Sequence, residues 1–130
     1  MSVKNAQNDA FIKMYKDWAR KNGVPNLDTV VTNDPMEATY VGIHMWKQAV
    51  EKAKSPEVDK VRVAMAGQTF KAPCGFTLTM DKTNHHLHKP VFIGEVTGNG
   101  QFNVVWKTKG PVRAQPWSPF IPGNEKKQNV

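Results

Sequence analysis

The segment Asn33-Asp34-Pro35-Met36-Glu37, running on through Ala38-Thr39-Tyr40-Val41-Gly42-Ile43-His44-Met45-Trp46, most constrains what this chain can fold into. Asp34 can cap a helix. Pro35 suits the first helical position, where its missing N–H is no loss, and Glu37 follows the cap by three residues, the spacing of a capping box. The pattern predicts a helix from Asp34 to about Lys54. Met36, Tyr40, Ile43, Trp46 or Lys47, and Val50 keep its period, while Val41, Met45 and Ala49 fill a second face. Only the last turns, with Lys47, Gln48, Glu51, Lys52 and Lys54, read as solvated. The N-terminal half is therefore expected to be buried and the C-terminal end to emerge. So apolar a helix needs more packing partners than a chain of 130 residues readily supplies, which suggests part of a larger machine.

An earlier helix is predicted over about Asn8 to Asn22, with Phe11, Ile12, Tyr15, Trp18 and Ala19 on one stripe and Gly23 and Pro25 ending it. Thr29 to Thr32 reads as a strand or an extended connector. Ser55-Pro56-Glu57 opens a third helix by cap-then-proline logic. Val58, Val61, Ala64 and Met65 supply its stripe, and it ends near Gly67. The period then changes to two. Phe76, Leu78 and Met80 mark a half-buried strand ending at Asp81-Lys82, and Val91 to Val96 is a second strand. Thr97-Gly98-Asn99-Gly100 is a hairpin turn, with Phe102 to Lys107 as the returning strand. From Gly110 the prolines at 111, 116, 119 and 122 oppose regular structure. Trp117, Phe120 and Ile121 are expected to lie against an apolar surface.

A formal charge of +7 could attract a polyanion, but the lysines are scattered, with no run longer than Lys126-Lys127, and a solvated basic surface is the simpler reading. A small stand-alone basic protein that binds nucleic acid or another polyanion is the alternative to the reading reached below. Cys74 is the single cysteine, so no internal disulfide forms. No apolar run spans a bilayer, and the first residues lack the apolar stretch of a signal peptide. His85-His86-Leu87-His88 suggests a metal, with Asp81 and His44 as only conceivable contributors. No ligand set of the structural or catalytic zinc kind can be written, however, so neither metal nor cofactor is expected. Cys74 has no neighbouring base, and Gly98-Asn99-Gly100 joins two strands instead of opening a helix. Asp34 is different. A capping carboxylate keeps free lone pairs that can accept N–H bonds from an uncharged amide or urea-like ligand.

Four strings carry a resemblance: Thr32-Asn33-Asp34-Pro35-Met36-Glu37-Ala38-Thr39-Tyr40, Gly67-Gln68-Thr69-Phe70-Lys71-Ala72-Pro73, Asn84-His85-His86-Leu87-His88-Lys89-Pro90 and Arg113-Ala114-Gln115-Pro116-Trp117-Ser118-Pro119. Together they resemble the C-terminal part of the substrate-binding proteins of bacterial urea and short-chain amide ABC transporters, across essentially the whole chain. The resemblance implies an α/β fold, as a C-terminal fragment of the two-lobed type I periplasmic-binding-protein architecture. Here that fragment is three helices, a short antiparallel hairpin region and an extended tail. It further implies that residues 1–130 mostly complete the N-terminal lobe, with the third hinge crossing near 91–96 and the tail over 110–130. In that scheme Asp34, Pro35 and Tyr40 lie at the ligand and the receptor is periplasmic. It hands urea or a short amide to a membrane permease, with no bond chemistry and no nucleic acid involved. Helices shaped against a sheet that is mostly missing imply self-association of the fragment.

Overall fold

The computed structural model describes residues 1–127, so the last three positions of the expected tail lie outside the described residues. Helix α1 spans Ala6–Lys21 because Asn5 supplies its cap, accepting the Asn8 N–H at 2.9 Å. Its other end is closed by Asn22 and by Gly23 in the left-handed region (φ +66°), as expected. The stripe is narrower than the periodicity predicts. Phe11 and Ala19 are buried, but Trp18 is exposed, and polar Asn8 joins the buried face by donating to the carbonyls of Met1 and Val3.

Helix α2 is Asp34–Ala53, but its cap is Asn33, not Asp34. A cap needs extended backbone and a side-chain oxygen facing the third N–H onward. Asn33 meets both conditions, with φ −137°, ψ 176° and Oδ1 accepting from Met36 at 3.0 Å. Asp34 and Pro35 thus become the first two helical residues, and Glu37 is no capping-box partner. It lies on the core face instead, in the series Glu37, Val41, Met45, Ala49. Burial follows this face along the whole helix, which corrects the expected gradient from a buried half to an emerging end. Ala49 is fully buried near the C-terminus, whereas Ile43 and Trp46 are 62% and 50% exposed.

Helix α3 covers Val58–Met65, starting later than Ser55-Pro56 suggests. Ser55 Oγ accepts from the Glu57 N–H, two residues on instead of three, so the loop makes a local turn before the helix begins. Val61 and Ala64 pack on Ala49, with Val50, Ala53 and Met65 around them, while Val58 of the expected stripe is exposed.

Strands β1 (Thr69–Lys71), β2 (Thr77–Met80) and β3 (Leu87–His88) form an antiparallel sheet in that order. Leu78 and Met80 point inward onto Val41, Met45, Ala72 and Cys74, the main core. The flanking strands escape sequence reading because three and two residues are too few to show alternation. Residues 29–32 form the connector, not a strand. Strands β4 (Phe92–Val96) and β5 (Phe102–Lys107) make the expected hairpin. Its ladder shifts register between Ile93 and Gly94, where a Cβ on Gly94 would sit 2.9 Å from that of Phe102.

The tail departs from expectation. Phe120 is 93% and Ile121 56% exposed, so these two do not lie against an apolar surface. The segment closes on itself instead: Asn124 is buried, donates to the Ser118 carbonyl at 2.9 Å and starts a 3₁₀ turn over Asn124–Lys126, with Lys127 over the Trp117 ring. Among the described residues no helix is long and apolar enough to cross a membrane.

Candidate functional site

The mouth of α2 is built by three charged side chains from two distant segments. Lys89 follows β3, and its carbonyl accepts the Val112 N–H at 2.8 Å, which pins its backbone to the tail. Its Nζ reaches Asp34 Oδ1 at 2.7 Å and Glu37 Oε2 at 3.5 Å. Glu37 is only 1% exposed and uses Oε1 to accept the backbone N–H of Cys74 at 2.5 Å. Asp34 is the open end of the group, with a side chain 75% exposed. Burial alone lowers the pKa of the Lys89 ammonium, but the hydrogen bond and charge of Asp34, with Glu37 behind it, outweigh this and the net shift is upward. Burial, aided by the Glu37 carboxylate, pushes the Cys74 thiol up to about 11, so it is a protonated core residue at neutral pH and a poor nucleophile.

Asp34 and Pro35 thus sit together at the helix mouth. Tyr40 lies elsewhere, in an aromatic cluster with ring-centroid distances of 5.1 Å to Phe11, 4.4 Å to His44 and 6.0 Å to Phe70. There it lines a 240 Å³ cavity with Phe11, Met14, Lys71 and Pro73. A larger groove of 1030 Å³ runs between the residues before α1 and the hairpin, past Ile12, Phe92, Phe102 and Trp106. Sequence reading missed Lys89 and the inward aim of Glu37. The available signal was the four-residue spacing of Glu37, Val41, Met45 and Ala49, which carries a carboxylate onto an apolar face and so demands a cation nearby.

The histidines take structural partners. His88 Nε2 meets Asp81 Oδ2 at 3.0 Å, His86 Nδ1 lies 2.9 Å from the Asn84 carbonyl, and His85 Nε2 is 3.2 Å from the Arg62 carbonyl. Among the described residues no three His, Cys, Asp or Glu side chains are grouped to hold a metal ion. Asp81 organises this turn. Its Oδ1 accepts from the hydroxyl and N–H of Thr83, at 2.7 and 2.8 Å, and from Asn84. The Thr83 bonds, then His88, hold the Asp81 carboxyl well below the usual carboxylate range. Because the folded value is depressed, the stabilisation is complete above the ordinary aspartate pKa of about 3.9 and fades as pH falls through the folded value. The stability gap between the wild type and Asp81→Asn should therefore be widest above about pH 5 and narrow on acidification. Urea unfolding across that range checks it, and a constant gap would contradict it.

Compared with known proteins, the chain matches the model of the family described as periplasmic binding protein domain over residues 1–123. It is also similar to a curated protein named limonene hydroxylase from Geobacillus stearothermophilus, 36% identical over 89 residues. That alignment takes in 68% of this chain, and the chain spans only 16% of the length of that relative.

Proposed function

This chain belongs to the periplasmic binding protein domain family, a solute-binding family, and from that membership we propose that it is the C-terminal segment of an exported receptor for urea or short-chain amides. In this reading residues 1–130 mostly complete the N-terminal lobe, β4 runs close to the third hinge crossing, and the receptor delivers its ligand to an ABC permease without chemical change. The observation that carries the ligand class is Asp34. Its carboxylate is exposed at the start of a 20-residue helix, fixed through one oxygen by Lys89 and open through the other to N–H donors. Pro35 shapes the same corner. Tyr40 lines a separate cavity among aromatic side chains, so it is not part of this corner.

A hydroxylase reading rests on the name of a protein of which this chain spans 16%, whereas the binding reading rests on a family match over residues 1–123. The polyanion reading is not favoured either, since the acids at positions 17, 51, 57 and 59 pair locally with Lys13, Arg20, Lys47, Lys60 and Arg62 and break up any basic stripe.

Calorimetric titration of the full-length receptor with urea, formamide and acetamide tests the proposal. Asp34→Ala should weaken binding by about tenfold or more, the worth of a hydrogen bond to a charged acceptor. Unchanged affinity in that variant removes Asp34 from the site, and a wild type that binds no neutral amide refutes the ligand class.

A further inference from the structure

We propose that the tail loop over residues 117–123, with Lys126 and Lys127 behind it, is a docking surface for an anionic phospholipid bilayer. Phe120 and Ile121 enter the interface and the lysines meet the headgroups. The inference concerns the tail and not the helix mouth, so it stands apart from the ligand reading above.

The loop holds its apolar tip outward. Phe120 and Ile121 are both exposed and stand between Pro119 and Pro122, whose rings fix the backbone on either side. The Ser118 hydroxyl accepts the Phe120 N–H at 3.3 Å, and the Ser118 carbonyl accepts the Ile121 N–H at 3.3 Å and the Asn124 amide at 2.9 Å. The Ile121 carbonyl in turn accepts the Asn124 N–H at 3.1 Å. Little conformational freedom is therefore left to lose when the tip meets a surface.

Charge indicates what that surface is. The acids that pair with cations between residues 13 and 62 have few counterparts in the tail. There Lys107, Lys109, Arg113, Lys126 and Lys127 face the single acid Glu125, whose carboxylate accepts the Gly123 N–H at 2.8 Å. Among the described residues none of these five cations shares an ion pair. Lys126 and Lys127 belong to the same closed unit as the tip. The Lys126 N–H donates to the Gly123 carbonyl at 3.3 Å, and Lys127 Nζ stands 4.3 Å from the centre of the Trp117 ring. An apolar pair flanked by unpaired ammonium groups matches a lipid interface, where acyl chains lie beneath anionic headgroups. A protein pocket would occupy the tip but leave the cations without a role. A soluble polyanion would use the cations but leave Phe120 in water.

Co-sedimentation of the full-length receptor with phosphatidylcholine vesicles, with and without phosphatidylglycerol, tests this. Binding should require phosphatidylglycerol and weaken as salt rises. The double variant Phe120→Ser, Ile121→Ser should bind about tenfold or more weakly, from the apolar area it withdraws. Lys126→Gln and Lys127→Gln should each cost about fivefold. All four side chains are exposed, so the unfolding midpoints of these variants should match the wild type. No binding to phosphatidylglycerol vesicles at low salt overturns the proposal, as does equal binding to both vesicles or wild-type binding in the serine variant. A serine variant with a clearly lowered unfolding midpoint places the tip on a protein surface and overturns it too. Amide affinity is measured in solution without vesicles, so failure here leaves the ligand reading standing.

Discussion

Replacing Glu37 with alanine is expected to destabilise the chain by about 3 kcal/mol, the low end of the cost of breaking a buried ion pair. Among the described residues Glu37 is the only carboxylate in the group of largest fully buried side chains, and it serves two partners at once. Truncation strands the Cys74 N–H in the core and removes the support under Lys89, which keeps Asp34. That retained partner is why the cost falls at the low end of the range. Glu37→Gln separates the two roles. Its amide oxygen can still accept from Cys74, so it should lose only about 1–2 kcal/mol. Urea unfolding, read as a shift in midpoint at constant slope, measures both. Since small domains are stable by only about 5–15 kcal/mol, the alanine variant should be conspicuous. A loss below about 1 kcal/mol would mean that water reaches this carboxylate and that it is not the keystone of the helix mouth.

What could be seen of this architecture in the sequence is what depends on neighbours in the chain. The Asn99-Gly100 turn with its flanking strands, the closure of α1 at Asn22-Gly23 and the existence of three helices are all local, and all appear in the structure. The cap of α2 lies one residue before the predicted Asp34 because Asn33 and Asp34 are both good caps, and only backbone dihedrals distinguish them. The candidate site was half legible. Asp34 announces itself through the helix start, but Lys89 lies 55 residues away and meets it only once β3 and the Lys89–Val112 bridge are in place. No periodicity encodes such a contact. Tyr40 has the helical spacing of a core residue and packs as one, against rings from α1 and β1.

The two apolar faces of α2 can be told apart by substitutions two residues apart. Met45→Ala should cost about 2–5 kcal/mol, because Met45 is fully buried between Val41, Leu78 and Met80 and its removal leaves a cavity. Ile43→Ala should change the stability of this chain by less than about 0.5 kcal/mol, because its side chain is mostly solvated. Paired unfolding curves decide this, and equal losses would mean that the buried face is misassigned. The contrast then bears on the larger protein. Ile43 and Trp46 on α2, Val58 and Val63 on α3 and Ile93, Val105 and Trp106 on the hairpin are all exposed, and apolar residues of this kind mark an interaction face where they form one patch. If the remainder of a two-lobed receptor covers the Ile43 face, the same Ile43→Ala substitution should rise to about 2 kcal/mol or more in the full-length protein. In the isolated chain that face should instead drive concentration-dependent self-association, which Ile43→Lys should weaken by adding charge at its centre. A small cost in the full-length protein, together with a monomer that Ile43→Lys leaves unchanged in sedimentation, would show that this face has no partner at all.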